Sequence, residues 1–422
     1  MSILIPQYIK DKKTIYDYRY YTSKRKLTEI VTLSKKLRGI SIAHLSVTNG
    51  RGGVARSLTS ALPIYTSLGI DMHWYTLRYS HTLFQIFRTF RDIFQGSAAS
   101  IPKKEFESYV SFNRRLAYEM EKKHIDLWIV HDYQPLPAVR FIKKTTSTYI
   151  WHFHQDYSKK AQNNKFLKKF LTIYLAPFSQ CIFSSPLFEP DFLREESKKI
   201  TVFTPCIDPL VLKNQPLSDM QAWKILRKYH INPAYPVISQ ISRFNPWKDP
   251  LGVFEAYMIA RKHISHLQLV FMSHRVGKFD PEQIQLLKLL KNRIQGDTNV
   301  FFIINARNND IVVNALQTVS DIILQKSIRE GFGQTVSEAM WKHTAVIGGN
   351  AIGIRTQITS GVNGYIVDSI EACADKIVLL LSQKKRRKKI GMKAHQTVRK
   401  RFLLPTYIYN NLQTYVDAVH GA

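Results

Sequence analysis

Short runs of β-branched and aromatic residues alternate with segments of helical apolar spacing along most of this 422-residue chain. In the first half, the runs that predict strands are GISIAHLSV (39–47), IDMHWYTL (70–77), DLWIVHD (126–132), STYIWHFH (147–154) and CIFSS (181–185). Segments with helical spacing, such as Val54 to Leu68, lie between them. Regular alternation of this kind builds βαβ units, whose strands form a parallel sheet.

The alternation is interrupted by the two prolines of TPCIDPL (204–210) and then begins again. The second series of predicted strands is VISQIS (237–242), LQLVFMS (267–273), VFFIIN (300–305), DIILQKS (321–327) and AVIGG (345–349). A chain of this length is too long for one ordinary core. We therefore predict an α/β protein with two doubly wound, Rossmann-like domains. Its expected parts are a basic extension (1–38), a first domain (39–208), a second domain (209–402) and a C-terminal segment (403–422).

The chain has 61 Lys and Arg residues against 31 Asp and Glu, a formal net charge of +30. Such a surface attracts polyanions: nucleic acid, acidic lipid headgroups or, at smaller scale, a diphosphate. The densest positive run is KKRRKK, Lys384 to Lys389. A run of this kind is usually a solvated helix face, and its alternative role is contact with an anionic membrane or another polyanion.

Cysteine usage and the N-terminal sequence predict a cytoplasmic location, at most peripheral to a membrane. Cys181, Cys206 and Cys373 show neither metal-ligand spacing nor a disulfide framework, which fits a reducing compartment. The opening MSILIPQYIKDKK is too briefly apolar for a signal peptide. No run approaches the roughly 20 apolar residues of a membrane span. Assembly into a homo-oligomer is left open.

The segment KSIREGFGQTVSE, from Lys326 to Glu338, contains a strand end, a glycine-bearing loop and a helix start. Glycines let backbone amides approach a ligand, and a helix N-terminus favours negative charge. Of its two glutamates, Glu330 and Glu338, one is suited to orienting sugar hydroxyls and the other to accepting both hydroxyls of a ribose. The structural alternative is that Glu330 caps the helix and Glu338 lies on its surface.

A second candidate segment, SRFNPWKD, follows the first strand of the second predicted domain. Its Arg243 and Lys248 fall in a strand-to-helix loop, where a diphosphate would rest in an open α/β sheet. Fixed cations there would stabilise a departing nucleoside diphosphate without a metal ion. The alternative is a pair of solvated cations, with Asp249 as the helix N-cap.

Two further candidates follow strands of the first predicted domain. The turn TNGRGGV (48–54) lacks the full dinucleotide-binding pattern, but its Gly52 and Gly53 permit close backbone approach to a ligand. A plain tight turn is the alternative. At two neighbouring strand ends, HDYQP and WHFHQD supply the acceptor-side candidates His131, Asp132, His154 and Asp156. A histidine there could donate to a sugar hydroxyl or position the acceptor, although a lone histidine is more often structural.

Metal-binding motifs are missing from the sequence. It has no HExxH motif, no paired CxxC motifs and no Asp-x-Asp motif. We therefore predict chemistry without a metal ion or other cofactor.

Together these motifs resemble family 4 of the retaining glycosyltransferases, which have two facing Rossmann-like domains. The seven residues between Glu330 and Glu338 match the spacing of that family's glutamate pair. Within the family, the segments from about residue 40 to about 368 are similar to trehalose glycosyltransferring synthases: HDYQP, WHFHQD, QISRFNPWKDPLGVFEAY, LQKSIREGFGQTVSEAMWK and VIGGNAIGIRTQI.

The resemblance implies a GT-B fold with its active site in the inter-domain cleft. The first domain would lie on the acceptor side, and the second would bind the nucleotide sugar. A helix from Pro405 to Val419 would cross back onto the first domain. The implied substrates are a nucleotide diphosphate glucose, with its base left open, and a small sugar acceptor, with trehalose as the product if that acceptor is glucose.

The resemblance also assigns roles by position. In the second domain, Arg243 and Lys248 would hold the diphosphate, Glu330 would contact the donor sugar, and Glu338 would bind the ribose. The amides of Gly331, Phe332 and Gly333 would meet the sugar and phosphate. In the first domain, Gly52 and Gly53 would line the donor site, and His154 would lie beside the reacting centre. Three residues depart from the family pattern: Arg51, Gln334 and Arg355.

The expected mechanism needs no enzyme nucleophile. The donor's β-phosphate oxygen leaves towards Arg243, Lys248 and the helix amides, while the acceptor hydroxyl attacks on the same face and gives its proton to the leaving phosphate. Glu330 as a nucleophile stays an alternative. Two other classes stay open: a disaccharide phosphorylase of the same fold, and a non-catalytic sugar- or polyanion-binding protein.

Overall fold

The structure, a computed structural model, describes residues 2–8, 12–48, 50, 52–143, 146–157, 159–195, 199–274, 276 and 281–421. The chain forms two compact units. Unit 1 comprises Met1–Cys206 and Leu404–Ala422, and unit 2 comprises Ile207–Leu403. The first division between them falls within the proline-bearing stretch 204–210.

Unit 1 is an α/β unit built on one sheet. Its elements are β1 (Leu4–Pro6), α1 (Lys24–Lys36), β2 (Ser41–Ser46), α2 (Gly53–Ser67), β3 (Asp71–Leu77), α3 (His81–Phe94), α4 (Lys103–Glu121), β4 (Leu127–His131), β5 (Thr148–Phe153), α5 (Lys159–Gln162), α6 (Lys165–Leu175), β6 (Gln180–Phe183), α7 (Asp191–Glu195), β7 (Lys199–Val202) and the C-terminal α16 (Leu404–His420). Within the described residues the sheet has seven strands, ordered β1-β3-β2-β4-β5-β6-β7. β1 runs antiparallel to β3, and the other pairs are parallel.

Unit 2 repeats this architecture with a fully parallel sheet. Its elements are α8 (Asp219–Leu226), β8 (Val237–Ile241), α9 (Pro250–Ala260), β9 (Gln268–Ser273), α10 (Pro281–Ile294), β10 (Val300–Ile304), α11 (Asn309–Val319), β11 (Ile322–Gln325), α12 (Gln334–Trp341), β12 (Ala345–Gly349), α13 (Ile352–Arg355), β13 (Tyr365–Val367), α14 (Ile370–Ser382) and α15 (Lys384–Arg401). Among the described residues six strands pair in the order β10-β9-β8-β11-β12-β13. Strands β8, β9, β11 and β12 are buried along their length, as expected for a parallel sheet covered by helices on both faces.

The N-terminal segment, predicted as a basic extension, takes part in the packing of unit 1. It supplies the edge strand β1, buries Ile15 and Tyr18, and packs α1 against α16. Lys26 of α1 donates to the Thr406 hydroxyl of α16 at 3.3 Å. The weak apolar periodicity of this segment concealed its role, because its few buried side chains are spread over a short strand, a single turn and a helix.

The strand order of each sheet reverses at one point. In unit 1, β3 lies on one side of β2 and β4 lies on the other; in unit 2, β9 and β11 flank β8 in the same way. Loops that leave the carboxyl ends of strands at such a point diverge and form a crevice that suits a ligand. The predicted site residues follow or end β2, β4, β5, β8 and β11, so the fold gathers them at these edges. Among the described residues, no helix is both long and apolar enough to span a membrane.

Candidate active site

The loop after β8 is shaped by two side-chain caps. Asn245 accepts from the Trp247 amide at 2.9 Å, and Asp249 accepts from the Gly252 amide at 3.0 Å and caps α9. Asp249 therefore has the N-cap role that the structural alternative gave it. Gln240 of β8 donates to the Lys248 carbonyl at 2.7 Å, which fixes this lysine at the end of the strand.

Two ion pairs join this loop to the one after β11. Lys248 pairs with Glu330, and Lys326 pairs with Asp249. The Lys248 and Glu330 side chains are 18% and 15% exposed, so both charges stay within reach of a ligand. Glu330 thus contacts the cation predicted to hold a diphosphate. Arg243 behaves differently, because it is exposed and makes no ion pair within the described part of the chain.

The glycine loop that follows opens α12. Gly333 is the N-cap at φ +83°, a conformation that favours glycine, and an added Cβ would lie 3.0 Å from Glu330 Cγ. The buried side chain of Gln357 donates to the carbonyls of Phe332 and of Gly333, the latter at 3.3 Å. Gln357 therefore holds the backbone of the loop whose amides were predicted to meet the sugar and phosphate. Sequence reasoning missed this residue.

Glu338 lies inside unit 2 rather than on the surface of α12. It is 3% exposed, and its carboxylate lies 2.7 Å from Lys213 Nζ. Lys342, one turn further along, donates to the Glu338 carbonyl at 3.2 Å, and burial lowers the pKa of its ammonium to about 7. Helical spacing from Glu338 could have indicated Lys342. Lys213 gave no such signal, because it lies 125 residues away in an irregular segment.

In unit 1, the turn after β2 ends at Gly52. This residue is the N-cap of α2 at φ +103°, and Gly53 is the first residue of that helix. A helix N-terminus therefore begins where the glycine pair was predicted to approach a ligand. Arg51, the residue that interrupts the family's glycine run, lies outside the described residues.

Three buried or half-buried histidines form a hydrogen-bonded line, called here the histidine relay. His44 Nδ1 lies 2.9 Å from His131 Nε2, and His131 Nδ1 lies 2.8 Å from His154 Nε2. Burial lowers the pKa of His44 and of His154 to about 3 and holds that of His131 well below its usual range. All three imidazoles are therefore neutral near pH 7. His44 was missed from sequence because it lies inside a predicted strand.

One of the two acidic candidates of unit 1, Asp132, contacts the histidine relay. Asp132 has φ +60°, and its carboxylate accepts from the His154 backbone amide at 2.8 Å. Burial raises the pKa of Asp132 to about 7, an effect that this hydrogen bond partly opposes. Asp156 is 2% exposed. Asp132 therefore shapes the backbone at His154.

Within the described residues, this region also contains a group of histidines that could hold a metal ion. Ring nitrogens of His131, His152 and His154 lie within 4.8 Å of one another. His152 stacks on His154 with ring centroids 3.9 Å apart, and its Nδ1 is buried without a hydrogen-bond partner among the described residues. The sequence contained no recognised metal motif because His131 and His152 come from different strands.

Family models match most of the chain. The trehalose synthase N-terminal domain matches residues 44–190, and the glycosyl transferases group 1 domain matches residues 221–397. The chain is 32% identical to the trehalose synthase of Pyrococcus horikoshii, over 100% of this chain and 99% of that protein. It is 31% identical to the trehalose synthase of Rubrobacter xylanophilus, over 96% of each.

More distant similarity extends to a second kind of enzyme and to solved structures. The trehalose phosphorylase of Pleurotus pulmonarius is 24% identical over 83% of this chain, which spans about half (53%) of that protein. The crystal structure of a UDP-forming α,α-trehalose-phosphate synthase from Burkholderia xenovorans superposes with a TM-score of 0.74 at 14% identity, covering 91% of this chain and 100% of that one. The two α/β units thus have the GT-B fold.

Proposed function

The chain belongs to the glycosyltransferase family that includes the trehalose synthases, and from this premise we propose that it transfers glucose from a nucleotide diphosphate glucose to a sugar acceptor. Glucose is the proposed acceptor, and trehalose is the proposed product. The name shared by the two relatives supports the product. Retention of the anomeric configuration, as in family 4, is part of the proposal.

The observation that carries the proposal is the ion pair between Lys248 and Glu330 beside the glycine loop. In the free protein each charge is satisfied by the other. A donor diphosphate would draw Lys248 towards its oxygens, and Glu330 would then accept hydrogen bonds from hydroxyls of the donor sugar. The exposed Arg243 would supply a second cation. This exchange matches a ligand that carries both an anionic group and hydroxyls.

Transfer then proceeds within this site. The bond between C1 of the glucose and the β-phosphate oxygen breaks, and a bond to the acceptor hydroxyl oxygen forms on the same face of the sugar. The acceptor's proton passes to the departing phosphate oxygen. Lys248, Arg243 and the amides of the glycine loop stabilise the charge on that phosphate, the kind of preorganised stabilisation that accounts for much of enzymatic rate enhancement.

The acceptor side of the proposal rests on unit 1. His154, which His131 holds by a hydrogen bond, is a neutral group just after a strand end, and a neutral imidazole exchanges hydrogen bonds with hydroxyls without attracting ions. Gly52 and Gly53, where α2 begins, would line the donor site. On the donor side, Glu338 would bind the ribose, with Lys213 releasing part of its carboxylate.

Mass spectrometry of the purified protein with ADP-, UDP- and GDP-glucose and several candidate acceptors tests this function. Trehalose formed from glucose, together with a nucleoside diphosphate, is the expected result. The phosphorylase alternative predicts instead that trehalose plus inorganic phosphate gives glucose 1-phosphate without any nucleotide. No transfer from any donor would leave the binding-protein alternative.

A second role is proposed for α15. Its exposed cations include Lys384, Lys385, Arg386, Lys388 and Lys389. Arg387 instead pairs with Asp321 at 2.6 Å and anchors the helix. Because each cation near an acidic bilayer contributes about 1 kcal/mol, this face is sufficient for reversible, salt-sensitive binding to anionic membrane.

Vesicle sedimentation at low and high salt tests this role. The variant with the five exposed cations changed to Gln keeps Arg387 and serves as the comparison. Wild type should sediment with acidic vesicles at low salt only, and the variant should not. Equal, negligible binding by both proteins would leave α15 a merely solvated helix.

A further inference from the structure

The C-terminal helix α16 places a tyrosine hydroxyl next to the histidine relay, and the direction in which this hydroxyl donates its hydrogen bond is fixed. Asn411 is fully buried, and its Nδ2 donates to the Tyr407 carbonyl at 2.8 Å. Its Oδ1 must therefore face Tyr415, whose hydroxyl donates to it at 2.9 Å. A tyrosine hydroxyl has one proton, so only lone pairs of the Tyr415 oxygen remain for other neighbours.

The direction of this hydrogen bond determines which nitrogen carries the proton in each histidine of the relay. The Tyr415 oxygen lies 3.3 Å from His44 Nε2, so this nitrogen must carry the proton of His44. A neutral imidazole has one N–H, which leaves His44 Nδ1 to accept from His131 Nε2. His131 Nδ1 in turn accepts from His154 Nε2. His154 therefore ends with its proton on Nε2 and a lone pair on Nδ1.

The distances favour hydrogen bonds over a shared metal ion at this point. Two nitrogens on one tetrahedral zinc ion, each about 2.0–2.1 Å from it, would lie about 3.3 Å apart. His131 Nδ1 and His154 Nε2 are 2.8 Å apart, the length of a hydrogen bond. Burial, which keeps these rings neutral, supports the same reading.

We propose that α16 fixes the tautomer of His154 through Tyr415, His44 and His131, so that His154 Nδ1 accepts a hydrogen bond from a hydroxyl of the sugar acceptor. The half-buried position of His154 at the end of the line suits this role, since His44 and His131 are each 1% exposed. The inference rests on the proposed function for the place of the acceptor. Tyr415, His44 and His131 are positioning residues, because they act through His154.

Nitrogen-15 NMR of histidine-labelled wild type tests the tautomers directly. The His154 signals are identified by their loss in His154→Gln. Protonated Nε2 and unprotonated Nδ1 are expected at His44, His131 and His154. A proton on His154 Nδ1 would overturn the proposal, as would stoichiometric zinc bound to His131 and His154 in the purified protein.

The variant Tyr415→Phe removes the acceptor that orients His44. We expect mixed tautomers at His154 and a decrease in kcat/KM of about tenfold, the rate equivalent of one net hydrogen bond. Tyr257→Phe is the control: it removes a tyrosine hydroxyl of unit 2, which donates to Asp297 at 3.1 Å and lies outside the histidine relay. Its spectrum should match wild type. An unchanged His154 spectrum in folded Tyr415→Phe would also overturn the proposal.

If Tyr415→Phe does not fold, the wild-type spectrum alone decides. The spectrum needs no substrate, so it separates the two proposals. Transfer of sugar by a protein with His154 protonated on Nδ1 would end the inference and leave the proposed function. The expected tautomers in a protein that transfers no sugar would leave the assigned tautomers and end the proposed function.

Discussion

The two units place their candidate groups at equivalent edges of similar sheets, yet the groups differ in charge. In unit 1, the edge is lined by buried imidazoles that burial keeps neutral. In unit 2, it carries the ion pair of Lys248 with Glu330, and a second, buried pair joins Lys213 to Glu338 of α12. Neutral rings can direct a hydroxyl without attracting phosphate, whereas paired charges can exchange partners with a diphosphate. The contrast shows that two similar sheets carry two different kinds of chemical group at the same edge.

The largest expected effect comes from changing a charged residue of unit 2. Lys248→Met removes a cation that would stabilise the departing phosphate, and loss of one such group costs about 10²–10³ in kcat. Steady-state rates with the nucleotide glucose donor measure it. Lys385→Met, on the exposed face of α15, is the matched control and should keep the wild-type rate. A folded Lys248→Met with kcat within twofold of wild type would contradict the role given to this ion pair.

The affinity for a nucleoside diphosphate tests whether Glu338 binds the ribose. Two charge-assisted bonds to the ribose contribute about 1.5–3 kcal/mol each, so Glu338→Gln should weaken nucleoside diphosphate binding at least tenfold by calorimetry. The substitution also leaves Lys213 buried without its carboxylate, which costs about 3–5 kcal/mol of stability.

The double variant Glu338→Gln, Lys213→Met separates these two effects. It removes the unpaired charge together with the carboxylate, so the stability of unit 2 should largely recover while donor affinity stays low. Wild-type affinity in this double variant would show that the ribose binds elsewhere.

Acid should distinguish the two units, because the neutral histidines belong to unit 1. Their folded pKa values lie below the ordinary value of 6.5. As the pH falls below 6.5, the unfolded chain binds protons that the folded unit does not, so the free energy of unfolding decreases. Each such histidine costs up to about 1.4 kcal/mol per pH unit. Asp132 acts in the opposite direction between pH 7 and 3.8 and offsets roughly one histidine.

Hydrogen exchange resolved by peptide, between pH 7 and pH 4.5, measures this difference. Unit 1 should lose protection first. In unit 2, the pKa values of His343 and His395 are lowered in the same direction, but these side chains are only partly buried. Lys342 changes stability only above pH 7, where its deprotonation in the folded state makes stability rise with pH. Earlier loss of protection in unit 2 would contradict the prediction.

The smallest expected effect is that of a chelator. If protein cations stabilise the phosphate, EDTA should leave the rate unchanged within error. Loss of activity in EDTA that magnesium or manganese restores would contradict the metal-independent mechanism. Restoration by zinc alone would instead point to His131, His152 and His154.

The sequence predicted the elements with local signals well. Strands β2 to β6 and β8 to β12 lie within a few residues of their predicted bounds, because buried parallel strands are continuous apolar runs. Helix α9 begins after Asp249, the N-cap of the structural alternative, and α12 begins at the glycine-bearing loop that was expected to start a helix. The short edge strands β1, β7 and β13 were missed, since three or four residues carry too little pattern.

The sequence predicted individual site residues, but it did not predict which of them contact each other. Lys248 and Glu330 were both selected by their motifs, but their ion pair was not. Lys213 and Tyr415 could not be found, because their partners lie 125 and 371 residues away and only the tertiary fold joins them. Glu338 was recognised by spacing, yet its burial followed from packing that no local pattern encodes.

Unit 2 is inserted between the two parts of unit 1, and this order matters during translation. A ribosome releases residues 1–206, then all of unit 2, and only then α16. The second unit to begin synthesis can therefore finish folding first. Until α16 emerges, the nascent first unit lacks the buried side chains of Leu404, Ile408, Leu412 and Tyr415 and exposes the apolar surface that they cover. Its need for chaperones should be greatest in that interval.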